Sequence, residues 1–152
     1  MNAAPNIKPS DRAGVLACID PDAYAAGTQV TAWIDVTNFF NFLAIIMAGD
    51  LGAAATINAK LEQATSNAGA GAKDVTAKAI TQLTQGGTDK SNTQSLINCS
   101  QYDLDFANGF KFVRLSMTVA VASSDAGALL MGFDARYNTA SDNDSSAVNE
   151  AI

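Results

Sequence analysis

The sequence predicts an all-β chain: an antiparallel β-sandwich, jelly-roll in arrangement, with flexible N- and C-terminal arms. Three observations lead there. Apolar residues recur with a period of two rather than 3.6. Turn-forming clusters separate strand-sized pieces at regular spacing. No alternation of strand and helix patterns, the mark of a parallel sheet, is present. The chain has 152 residues, a length that suits one domain able to bury roughly 70% of its unfolded surface. Residues 1–11 read as an arm, 12–138 as the sandwich and 139–152 as a small, polar, mobile tail.

Taken in order, the first strand candidate is Gly14 to Ile19, closed by the turn-forming run Asp20-Pro21-Asp22. Gln29 to Val36 follows Ala26-Gly27. Its alternation places Val30, Ala32, Ile34 and Val36 on one face, and Thr31, Trp33 and Asp35 on the other. Phe42 to Ala48 is a nearly unbroken apolar run and reads as a buried strand, far short of the about 20 apolar residues a membrane-spanning helix requires. The run Gly49-Asp50-Leu51-Gly52 turns the chain into Thr56 to Glu62, where Ile57, Ala59 and Leu61 alternate with polar residues. A Gly-rich hairpin loop, Gly69 to Asp74, comes next, then a strand from Ala77 to Leu83 and a loop at Gly86-Gly87. Gln94 to Cys99 is a further strand. Asn108-Gly109 is the strongest hairpin signal, because both residues tolerate positive φ. From Lys111 to Val121 the alternation is clearest, with Val113, Leu115, Met117, Val119 and Val121 on one face and Phe112, Arg114, Ser116, Thr118 and Ala120 on the other. Ala128 to Phe133 is the last strand.

Composition narrows the function classes. Histidine, the commonest general acid–base and metal ligand near neutral pH, is absent. Ser-based catalysis therefore lacks its usual base, and no Gly-x-Ser-x-Gly elbow occurs. The two glutamates, Glu62 and Glu150, lie on a strand face and in the tail, which is no arrangement for glycoside hydrolysis. The net charge of −6 and dispersed basic residues argue against nucleic-acid binding. No targeting segment and no membrane contact are expected. The loop at Gly69 lacks the Gly-Lys-Ser/Thr order of a phosphate-binding loop, since Ala72 separates Gly71 from Lys73.

Three Asp-x-Asp pairs, Asp20/Asp22, Asp103/Asp105 and Asp142/Asp144, lack the glycine and distal glutamate of a calcium loop and read as turn formers. Cys18 and Cys99 stand far apart in sequence, neither in a Cys-x-x-Cys pair; free thiols and a disulfide both remain open. No catalytic residue, cofactor or metal site is expected. A chain with 48% hydrophobic and only 16% charged residues fits a protein that buries surface in an assembly. An outward tryptophan is a common interface anchor. Trp33, Asp35, Phe112 and Arg114 form the candidate interface, the alternative being that a neighbouring loop or strand covers Trp33 within the same subunit.

Four segments, Thr31 to Gly52, Thr56 to Ala64, Ala77 to Thr84 and Gly132 to Tyr137, give the chain a resemblance to small virion structural proteins of tailed bacteriophages and prophages. The resemblance spans roughly residues 12 to 138 and brings no catalytic residues. It implies a capsid decoration (cement) protein located in the virion, made in the host bacterial cytoplasm, self-associating as a homotrimer and bound to the major capsid protein or other virion proteins. A neck, collar, tail or baseplate component is the neighbouring expectation, and a carbohydrate-binding host-attachment module is the expectation from another class.

Overall fold

A computed structural model describes residues 8–137 and 148–150. The expected terminal arms, and the Asp142/Asp144 pair, fall mostly or wholly outside those residues. After a short 3-10 turn at Pro9–Asp11, the described chain builds ten β-strands and two more 3-10 turns. Among the described residues no helix is long and apolar enough to cross a membrane.

One sheet holds β1 (Ala13–Tyr24), β10 (Ser124–Ala135), β4 (Phe39–Leu51) and β8 (Gln94–Ser100), in that spatial order. The other holds β2 (Gly27–Val30), β9 (Phe112–Ala120), β5 (Thr56–Ala64) and β6 (Lys73–Ala79). Two short strands extend its edges: β3 (Ile34–Asp35) along β9, and β7 (Leu83–Thr84) along β5. Every pairing is antiparallel. With β2 and β3 taken as one strand, and β6 and β7 as another, eight strands remain. The first pairs with the last, the second with the seventh, the third with the sixth, and the fourth with the fifth. A long hairpin rolled up on itself produces that order, so the chain is an all-β jelly roll.

The core lies between the sheets. From the first come Ile46 and Leu130, from the second Ile57, Leu61, Leu115 and Met117, all fully buried. Large residues face small ones across the ladder: Ile46 pairs with Ala128, and Leu130 with Ala44. That complementarity lets an Ala-rich chain pack tightly. The expected alternation of β5 and β9 is present, with Ile57, Ala59, Leu61, Val113, Leu115, Met117 and Val119 all buried.

Two expected turns lie within strands: β1 runs through Asp20-Pro21-Asp22 with a register shift between Ile19 and Asp22, and β4 runs through Gly49-Asp50-Leu51. Four further sequence expectations need correction. Gln29 to Val36 is not one strand: the chain leaves the ladder at residues 31–33. Thr31 turns inward there, 6% exposed, while Val30 is 46% exposed. The cause is a side chain standing in for backbone. The Leu115 amide donates to the Thr31 hydroxyl at 3.1 Å, and the Thr31 amide donates to the Leu115 carbonyl at 3.0 Å. That pulls Thr31 into the sheet and inverts the inside–outside phase of Val30, Thr31 and Ala32. Second, Ala77 to Leu83 is broken, since β6 ends at Ala79 and residues 80–82 are not strand. Ala77 has φ 60°, and the register with β5 shifts between Lys60 and Glu62, the signature of a bulge. Third, Asn108-Gly109 does not join a hairpin. Phe106–Asn108 is a 3-10 turn that Gly109, at φ 82°, terminates, and β8 and β9 lie in different sheets. Fourth, Val121 does not continue the buried face of β9. It sits in the turn after Ala120 with φ 74° and is exposed.

Candidate functional site

The two sheets present outward faces of unlike chemistry. On the second sheet, cross-strand rows read Thr28–Thr118–Asn58, then Val30–Ser116–Lys60–Ala79, with Val30 exposed and Ser116 buried, then Arg114–Glu62–Asp74. Arg114 Nε donates to Glu62 Oε2 at 2.6 Å, and Lys60 Nζ lies 3.1 Å from Glu62 Oε1 and 2.6 Å from Asp74 Oδ1. This is the polar outside of a solvated antiparallel sheet. Burial raises the Glu62 carboxyl, but hydrogen bonds from Arg114 and Lys60 outweigh it and hold the group below the usual carboxylate range. A depressed folded-state pKa adds stability above the unfolded value of about 4.3, and that stability is lost as pH falls through both values. Melting temperature is therefore expected to drop between about pH 5 and pH 3. Glu62→Gln should flatten that part of the profile; an unchanged slope in the variant would show that the network contributes nothing.

The four candidate interface residues meet at the end of this face. Asp35 pairs with Phe112 across β3 and β9, and the Arg114 guanidinium lies 4.5 Å from the centre of the Trp33 ring. Asp35 also accepts the Thr37 amide at 3.0 Å, a local turn contact. Trp33 is covered in part from within its own subunit. The hairpin loop between β5 and β6 brings Gly69 against the indole, so close that a Cβ there would stand 2.5 Å from Trp33 Nε1. Gly69 also has φ +79°. Gly69→Ala therefore meets both a clash and a left-handed backbone penalty and is expected to cost about 1–3 kcal/mol. Trp33 fluorescence should shift red as the loop lifts; an unshifted spectrum at wild-type stability would show that the loop does not hold the indole.

The outward face of the first sheet was not singled out by sequence pattern. One row runs Val15–Met131–Leu43–Asn98 and the next Cys18–Leu129–Ile45–Leu96. Met47 and Phe133 extend it along β4 and β10. None of these side chains is charged, and Leu96, on the edge strand, is 59% exposed. The available signal was the absence of alternation: Phe42 to Ala48 and Ala128 to Phe133 are apolar at both parities, whereas a strand with one wet face alternates.

The remaining candidates serve the fold. Asp103 takes the Ser100 amide at 2.7 Å and pairs with Lys78 at 3.1 Å, and Asp105 pairs with Lys73 at 2.6 Å. Asp20 Oδ1 accepts from the Cys18 thiol at 2.9 Å. Neither cysteine is in a disulfide. Cys99 faces the core, and burial, helped by the charge of Asp103, pushes its thiol up to about 12, so it is protonated at neutral pH.

No family model matches this sequence, and no curated protein matches it. Solved structures of similar form come from viruses. A chain of the cryo-EM structure of Broad Bean Stain Virus aligns with TM-score 0.47 and 11% identity over 91% of this chain and 95% of that one. A chain of the empty virus-like particle of Cowpea Mosaic Virus aligns with TM-score 0.43 and 11% identity over 90% and 87%. A chain of infectious bursal disease virus, Gx strain, aligns with TM-score 0.44 and 15% identity over 92% of this chain but only 39% of that one. The jelly-roll assignment rests on this chain's own strand order.

Proposed function

We propose that this chain is a non-enzymatic structural protein of a virion, a capsid decoration (cement) protein that binds the capsid shell and associates with itself. The observation that carries the reading is the cluster of apolar side chains, Leu43, Ile45, Leu96, Leu129 and Met131, on the outer face of the β1–β10–β4–β8 sheet, with Asp20 and Asp125 at its margin. The outer face of the opposite sheet carries Lys60, Glu62, Asp74 and Arg114 instead. A contiguous apolar face marks an interaction surface. The jelly roll is a frequent scaffold for shell proteins, and the resemblance to small tailed-phage virion proteins supports the same role. A trimer is the copy number that this resemblance implies, with Trp33, Asp35, Phe112 and Arg114 as a second contact.

The test is co-sedimentation of the purified protein with purified shells, followed by imaging. Saturable binding with density on the shell lattice is expected. Density confined to the neck or tail tip would replace decoration with a neck, tail or baseplate role. Phe112→Lys, at a half-buried surface position, is expected to weaken assembly by about 2 kcal/mol or more while the monomer stays folded. Assembly at wild-type strength would remove this residue from the interface. A carbohydrate-binding role is less well supported, because Arg114 already stacks on the Trp33 ring that a sugar would need.

A further inference from the structure

We infer that the free edge of β8 pairs with β8 of a second copy of this chain, antiparallel about a two-fold axis at Leu96, so that two four-stranded sheets join into one. This rests on the self-association proposed above and adds to it the edge, the occupant and the register. The outer sheet face stays free for a shell.

β8 ends its sheet, with β4 on one side and no strand on the other. An unpaired edge offers a row of backbone N–H and C=O groups to a second chain, and proteins that stay apart blunt such edges with bulges, prolines, charges or short strands. The other edges of this molecule carry those devices. β1 shifts register after Val15 and after Ile19, and bears Asp20-Pro21-Asp22. β2, β3 and β7 have four, two and two residues. β6 shifts register, places Ala77 at φ 60° and bears Lys73, Asp74 and Lys78. β8 has none of these. It keeps one register with β4 from Gln94 to Ser100, and it contains no charged residue, proline or glycine. Residues 80–82 pass beside it but are tied to β5. The Ile80 amide donates to the Ala59 carbonyl at 2.9 Å, and Leu83 pairs with Ile57. A groove of about 490 Å³ is lined by Ile80, Leu83 and Lys90 from that side and by Ser95 and Leu96 from β8.

The occupant follows from charge and register. Copies of a chain of net charge −6 repel where their acidic surfaces meet, and like charges directly opposite each other weaken a ladder. An uncharged strand meets its own copy without either cost. Such a contact is isologous, which requires a two-fold axis and an antiparallel pair. With the axis at Leu96, that side chain, 59% exposed in the single subunit, lies against Leu96 of the second copy. Gln94 then lies against Asn98 of the second copy, amide to amide, so that apolar meets apolar and polar meets polar. The paired edge is about 23 Å long. The ends of the chain fit it less well. In residues 1–7, Pro5 has no amide to give to a ladder, and residues 138–147 bring Asp142 and Asp144.

Sedimentation equilibrium and hydrogen exchange of the full chain, over a wide concentration range and without shells, test this. The expected mass at high concentration is an even multiple of 15.7 kDa, with backbone amides between Gln94 and Asn98 gaining protection as the protein associates. Leu96→Lys, at an exposed position, puts like charges on the axis. It should move the midpoint of association upward by about tenfold or more while the monomer keeps its melting temperature. Gln94→Lys combined with Asn98→Asp should associate more tightly than the two single changes predict, because each lysine meets an aspartate only across the axis. A strict monomer at high concentration would overturn the inference. So would association that leaves the β8 amides unprotected, a Leu96→Lys variant that associates like the wild type, or effects of the paired changes that merely add. Shell binding reads separately: pairing at β8 in a chain that ignores shells would refute the cement role and leave this inference standing, and shell binding by a chain whose β8 amides stay unprotected would do the reverse.

Discussion

Ile46→Ala is expected to destabilise the subunit by about 4 kcal/mol, near the top of the range for aliphatic core truncations. The cost of such a change has two parts, the lost transfer free energy and the cavity that remains. Here the cavity cannot be refilled. Ile46 is fully buried on β4 between Ala44 and Ala48 on its own strand, and faces Ala128 across the ladder. Small neighbours have no side chain to move into the gap, and the backbone is pinned on both sides, by β10 and by β8. Against a total stability of about 5–15 kcal/mol, that is a large fraction. Urea denaturation should show a lower midpoint at an unchanged slope. A loss below about 1.5 kcal/mol would mean that the sheets collapse onto the site, and that the large–small pairing is not what holds them apart.

The second large effect is steric. Gly132 lies on β10 between Gly14 of β1 and Phe42 of β4, and a Cβ there would stand 2.7–2.9 Å from ring carbons of Phe39. Phe39 is itself buried at the start of β4, so the ring has nowhere to go. Gly132→Ala is expected to cost about 1–3 kcal/mol by overpacking, and Gly132→Val more. A double variant, Gly132→Ala with Phe39→Leu, should recover part of the loss, because the two residues share one volume. Additive losses in that cycle would show that the glycine is needed for another reason.

Much of the architecture was legible in the residues. Period two in β5 and β9 marks their buried face, because a pleated strand sends alternate side chains to opposite sides. The hairpin loop at Gly69 was legible from glycines that accept positive φ. The aromatic–arginine cluster was legible in part: outward placement of Trp33, Phe112 and Arg114 follows from alternation, and the structure brings all three to one end of the second sheet with Asp35. Cover for Trp33 from within its own subunit was one of two readings the sequence left open, and only the structure names the 65–72 loop. The phase at Thr31 was not legible. A hydroxyl that replaces a ladder acceptor depends on where β9 runs, and β9 lies more than 80 positions away. The misread Asn108-Gly109 has a similar cause: turn chemistry reports local φ, and Gly109 does take it, but which strands the turn joins is set by sheet topology.

By itself the sequence determined the local tendencies: the period-two segments that form β5 and β9, the apolar faces of those strands, glycine-bearing turns such as Gly69, and the absence of histidine. It also held, unread, the double-sided apolar runs of β4 and β10. Tertiary structure alone decided which strands are neighbours. That choice pairs the first strand with the last and sets Leu129, Met131, Leu43, Ile45 and Leu96 side by side on one face. It gathers Lys60, Glu62, Asp74 and Arg114 on the other sheet. The physical reason is that side-chain direction is a property of a few consecutive dihedrals, whereas a surface is a property of residues brought together from across the chain. Alternation is local, but a face that needs a partner exists only once the sheet has formed.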